Sequence, residues 1–386
     1  METKFTTLDI VSWGGFIMFA TSSAITPICL PEISNTLSTT LSEGGGMATA
    51  RAFIMLFILI LVGVLTQKWG KKLFLTLSQY LFVAGLLMAS FARNYPMLIL
   101  SLMITGMGGG FMEALISPLV VDLHPDDSGK YMNITHAFYP IGVMASALLF
   151  GELLTLGYSW RWLFRLAAIG SLAVGIAFHV SRFPAAIETE RMPWKRMMKI
   201  LMLPGFWLFA ASIFLGAGVE SALTFWSRSY VAIYLKDVPR AGAVAVVIFA
   251  GMMAAGRFLT AKLSRTMSLK MMMIASALLG VGVSGMLPFV GNLLWFYVLV
   301  ALAGLAAACF WPTILAEAAA CLKVNATLLF VMLSCAGITG FGFTPWLLGI
   351  IGDQAGLRTG FAVIPGFFVL LLLVFALDWR MTPKHS

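Results

Sequence analysis

A glutamate stands deep in an apolar stretch. Glu113 lies in Ile104–Gly151, ITGMGGGFMEALISPLVVDLHPDDSGKYMNITHAFYPIGVMASALLFG, which reads as two hydrophobic segments joined by a charged turn. Asn133, His136 and Tyr139 fall in the second segment. Amide, imidazole and phenol groups hydrogen-bond hydroxylated ligands in apolar hollows. They also serve as links between helices in lipid, and the sequence leaves both roles open. A carboxyl group in such a setting can hold a proton, contact a polar solute, or pair with a neighbouring helix. Glu220 occupies a second apolar run, with Trp226 and Arg228 after it, and Arg257 lies in the next run. Glu220 reads either as one member of a Glu–Arg pair or as a solute or ion ligand, with Trp226 stacking on a sugar ring. Arg257 can partner Glu220 or attract an anion. Phe310 and Trp311 before Pro312 can line the same hollow or pack the core. No nucleophile or metal partner accompanies His136, so the reading is a non-enzyme without cofactor or metal.

The surrounding chain must be a membrane scaffold. Of 386 residues, 60% are hydrophobic and 11% charged, and the mean hydropathy is +0.95. Soluble domains are about half apolar and a quarter charged. In lipid, only helices and closed barrels satisfy their backbone groups. The apolar runs here are continuous and long enough for a helix to cross the hydrocarbon. The expected fold is all-α, with twelve spans near 9–31, 46–66, 73–92, 96–122, 131–156, 161–182, 205–235, 240–263, 268–290, 293–321, 325–351 and 358–379. The four cysteines show no ligand spacing. The net charge of +9 reflects basic cytoplasmic loops, not nucleic-acid binding. Lys68, Lys71, Lys72, Lys130, Lys195, Arg196, Lys199, Lys262, Lys270 and Lys323 share one side, whereas the other has Arg93, Arg161, Lys236, Arg240 and Arg358. That bias places both termini in the cytoplasm, with the bacterial inner membrane as the expected location.

The halves echo one another. Span 4 has a glycine run and then Pro118, and span 10 has Gly304 and then Pro312. Span 5 has Pro140, and span 11 runs from Gly337 to Pro345. Two pseudo-symmetric six-helix bundles are expected, 1–182 and 205–386. They are joined by a linker, 183–204, whose Met, Ile and Leu residues beside Lys and Arg suggest a surface amphipathic helix. Paired repeats of this kind place a solute site near the midplane.

Depth follows from helix rise. Counting 1.5 Å per residue back from Asp122 puts Glu113 roughly 13 Å inside, on a face with Gly106 and Gly110. An ionised group there costs about 3 kcal/mol unless paired or wet, so that face looks into the bundle. Asn133, His136 and Pro140 share a face of span 5. Arg51 falls in the outer third of span 2, with Glu43 or Glu32 as its expected partner. Glu152 is expected to pair with Arg161 or Arg165. Asp122, Asp126, Asp127, Lys130, Glu317 and Asn325 read as charges at the inner ends of spans.

After span 2 the chain reads Gly63-Val-Leu-Thr-Gln67-Lys68-Trp-Gly70-Lys71-Lys72. This resembles the signature loop of the major facilitator superfamily, G-x-x-x-D-R-x-G-R-R/K. The resemblance implies that Gly63, Lys68, Gly70 and Lys71 form a gating loop. Gln67 replaces the family's acid, and its charge-mediated latch is lost with it. Pro118-Leu-Val-Val-Asp122, Asn133, His136-Ala-Phe138, Gly216-x-Gly218-x-Glu220 and Gly256-Arg257-Phe258 resemble the fucose–galactose–hexose symporter group. That likeness implies proton-coupled sugar symport by alternating access, with Glu113 as the protonation site and Glu220 as its C-terminal counterpart. Span 1 departs from the group, because it has no acid between Asp9 and Glu32.

The function expected is a monomeric carrier for a small polar, sugar-like solute, driven by protons, with sodium as the alternative ion. The competing readings are proton-coupled efflux of amphipathic compounds and carriage of organic anions. Gly106-Met-Gly108-Gly109-Gly110 is no dinucleotide site, because no strand precedes it.

Overall fold

The computed structural model describes residues 5–184, 194–264, 266–324 and 326–381. They are helical throughout, with no strand among the described residues. Twelve helices are long and apolar enough to cross a membrane: Thr7–Leu37, Leu41–Val62, Lys68–Ser90, Tyr95–Leu123, Lys130–Thr155, Trp160–Val180, Pro204–Leu235, Pro239–Leu263, Leu269–Phe289, Leu293–Leu322, Leu328–Ala355 and Leu357–Leu377. They are spans 1 to 12, and they make the chain an integral membrane protein.

Local chemistry sets several of the ends. Span 1 opens with a capping box: Thr6 Oγ1 accepts the Asp9 N–H at 3.2 Å, and Asp9 Oδ2 accepts the Thr6 N–H at 2.7 Å. Asn94 caps span 4 and Asn292 caps span 10, each accepting the N–H of the third residue beyond. The step from span 2 to span 3 turns at Gly70, whose φ of 75° belongs to the left-handed region that glycine enters without strain. The linker contains a short helix, Trp194–Leu201. The rest of the expected linker region, 185–193, lies outside the described residues, as does Asn325.

The chain forms two compact units. The first is Met1–Thr39 with Ala50–Met192, and the second is Thr40–Thr49 with Pro193–Ser386. In the first, span 1 packs mainly on span 5 and then span 6. In the second, span 7 packs mainly on span 11, while spans 8 and 10 pair, as do spans 9 and 12. Spans 1 and 5 of one repeat thus match spans 7 and 11 of the other.

Residues 40–49 belong to the second unit through dense contacts with span 11. Asp353 accepts the backbone N–H groups of Leu41 and Ser42. Thr49 Oγ1 donates to the Gly342 carbonyl at 2.8 Å. Gly45 lies against Pro345, and Gly349 against Leu41, where any side chain would collide. Span 2 therefore begins five residues earlier than the expected 46. Gly44, Gly45 and Gly46 are helical. Their small size permits the close approach, and that packing outweighs weak helix propensity.

Candidate transport site

Glu113 is half-buried in span 4. It makes no hydrogen bond and no ion pair with another described residue. One turn further on the same face is Ser117, whose hydroxyl lies 2.9 Å from His136 Nε2. The His136 ring also sits 4.9 Å from that of Phe16. The structure therefore brings together Glu113, Ser117 and His136. Tyr139 lies beside Phe19 and Phe16 of span 1. Asn133 stays exposed at the start of span 5. Ser117 had no signal in the sequence beyond its spacing from Glu113.

The glycines of span 4 face span 2. A Cβ on Gly106 would lie 2.5 Å from the Arg51 carbonyl oxygen, and one on Gly110 would lie 2.7 Å from Ile58 Cβ. Arg51 lies in the first half of the helix that starts at Leu41 and runs on to the kink at Gly70. Its partner differs from the expected one. Nη2 donates to Ser22 Oγ at 3.2 Å, and the guanidinium lies 5.7 Å from the Phe19 ring centroid. Neither Glu32 nor Glu43 forms an ion pair with it.

In the second unit, Glu220 is half-buried and feels the charge of Arg257. Arg257 itself is exposed, and its Nη2 lies 3.9 Å from Met253 Sδ. Arg228 is buried beside Gly242. Trp226 is not available as a sugar platform. Its side chain is 0% exposed, and Nε1 donates to the Pro345 carbonyl at 3.0 Å. An indole locked into the span 7–span 11 contact serves packing. Phe310 is likewise buried, against Phe368 and Phe375. Trp311 is half-buried against Gly337.

Several charges at the ends of spans are paired. Lys71 Nζ lies 2.5 Å from Asp122 Oδ2 and donates to the Pro118 carbonyl at 3.3 Å. Lys71 thus ties the loop to span 4 through Asp122 and Pro118, while Lys68 lies over the Trp69 ring. Gly63 falls within the span 2 helix. Lys270 and Glu317 approach to 3.7 Å. Arg161 does not meet Glu152. It donates to the Ser90 carbonyl, and Arg165 donates to the Ser90 hydroxyl.

Asp9 is a residue that the sequence reading passed over. It is 1% exposed, and both its oxygens lie within 3.0 Å of His124 Nε2. His124 stacks on Tyr131 at 3.5 Å. The Thr6-x-x-Asp9 spacing was the available signal.

Apolar helices of membrane length with carboxyl groups set among them fit a membrane transporter. The chain belongs to the Major Facilitator Superfamily, whose sequence model matches residues 11–316. It is 24% identical over 359 residues to "Membrane protein MosC" of Rhizobium meliloti, covering 90% of this chain and 84% of that protein. It is 27% identical over 145 residues to the L-fucose-proton symporter of Escherichia coli, covering 36% of this chain and 33% of that one. Its fold resembles the crystal structure of a bacterial homologue of the human lysosomal transporter Spinster, with a TM-score of 0.82 at 14% identity over 97% of both chains.

Proposed function

We propose that the protein carries a small polar, sugar-like solute into the cell together with a proton. It works as a monomer, with both termini in the cytoplasm and two six-helix repeats alternating access. The observation that carries this reading is Glu113, an acid within an apolar span with no described partner. A carboxyl group kept in a membrane without a structural pairing is a functional group by default. Ser117 and His136 beside it supply hydrogen bonds of the kind a hydroxylated solute accepts and donates. Glu220, with Arg257 near it, is the corresponding acid of the second repeat. Kinship to a fucose-proton symporter points the same way. The Lys71–Asp122 pair anchors the loop after span 2, which is read as the gating loop.

The test is uptake of labelled sugars by proteoliposomes across a pH gradient. Glu113→Gln should abolish stimulation by an inward proton gradient while retaining solute exchange. If gradient-driven uptake by Glu113→Gln equals that of the wild type, Glu113 is not the coupling site.

A further inference from the structure

We infer that Arg51 holds an oxyanion of the transported solute. This narrows the proposed polar solute to a hydroxylated organic acid or phosphate, and it rests on the reading of the protein as a polar-solute carrier. Arg51 lies in the first half of the helix that runs from Leu41 to the kink at Gly70, and Ser22, to which it donates, is midway along span 1. A guanidinium at that depth is costly unless an anion or water faces it. No carboxylate of the described residues comes within ion-pair distance. Its Nε is buried without a hydrogen-bond acceptor.

Two glycines of span 4 pack closely on this arginine. Gly109 faces the guanidinium, and a Cβ there would lie 3.4 Å from Nη2. Gly106 admits the span 2 backbone at the same level. The Phe19 ring lies below the charge, and Tyr139 is close enough to interact with it electrostatically. An arginine offers five N–H donors in a planar fork, and Ser22 occupies one of them. A carboxylate or phosphate takes two at once, which is the geometry a guanidinium favours. A purely structural arginine tying spans 1 and 2 together would place its donors on carbonyls, as Arg161 does on Ser90.

The experiment is thermal unfolding of the purified full-length protein with D-galactose, D-galacturonate or D-galactose 6-phosphate at equal concentrations. The expected result is a raised midpoint with one or both anions and none with galactose. The two anionic arms separate carboxylate from phosphate recognition. Arg51→Gln should weaken the apparent anion affinity about tenfold or more. Arg51→Lys retains the charge without the fork and should lose part of the effect; it carries the test if Arg51→Gln does not fold. Equal stabilisation by galactose in wild type and Arg51→Gln overturns the role of Arg51 and leaves the polar-solute carrier standing. Absence of a shift with either anion, or an anion shift that survives in both Arg51 variants, also overturns it. Stabilisation by amphipathic compounds alone would overturn both readings.

Discussion

Asp353 caps the first turn of span 2: its carboxylate accepts the Leu41 N–H at 2.7 Å and the neighbouring Ser42 N–H at 2.9 Å. The acid and the helix start are far apart in sequence, yet the bond has the chemistry of an N-cap, in which an anion meets the positive end of a helix. Removing the cap as Asp353→Ala should cost about 1 kcal/mol. Hydrogen exchange at peptides covering residues 41–46 should accelerate, while peptides from span 4 remain unchanged. Unchanged exchange at 41–46 would show that the carboxylate does not hold this turn.

Lys71 and Asp122 form a pair whose side chains are 11% and 6% exposed. Truncating one member leaves the other charge half-buried and unpaired, at a cost of about 1–3 kcal/mol. Asp122→Ala and Lys71→Ala should each lower the unfolding midpoint in detergent. The double variant should fall by less than the sum of the two, because it strands no charge. Additive losses would mean the contact contributes nothing.

Trp226 is a packing residue, and its substitution should show that. Trp226→Phe loses the hydrogen bond to Pro345 and leaves a small void, costing about 1–3 kcal/mol. The midpoint should drop while the apparent KM for the transported solute stays within about twofold of wild type, since the indole has no exposed surface to offer a ligand. A large rise in KM at unchanged stability would restore Trp226 to the site.

Ser117 orients His136. Ser117→Ala removes a hydrogen bond of about 0.5–1.5 kcal/mol. Uptake should fall by a smaller factor than in His136→Ala, and the double variant should resemble His136→Ala alone. Independent, multiplying effects in transport assays would separate the two residues.

The span count, the helical class and the family were legible in the sequence, because lipid punishes unsatisfied backbone so strongly that apolar length alone reports the helices. Glu113, Glu220 and Arg257 were legible as candidates for the same reason, since charge inside an apolar run stands out. What such patterns do not contain is direction and partner. Trp226 and Phe310 looked like platforms, and packing against Pro345 and Phe368 buried them. Arg51 was expected to meet Glu32 or Glu43, yet it donates to Ser22 of span 1. Asp9 looked like a flanking charge, and His124, just past the end of span 4, binds both its oxygens and buries it. Composition and periodicity are properties of a segment and its solvent, so the sequence by itself determined the elements. Partners are chosen among groups brought close by many weak contacts at once, so only the tertiary structure decided that Ser117 meets His136 and that Arg51 keeps its donors free of carboxylates.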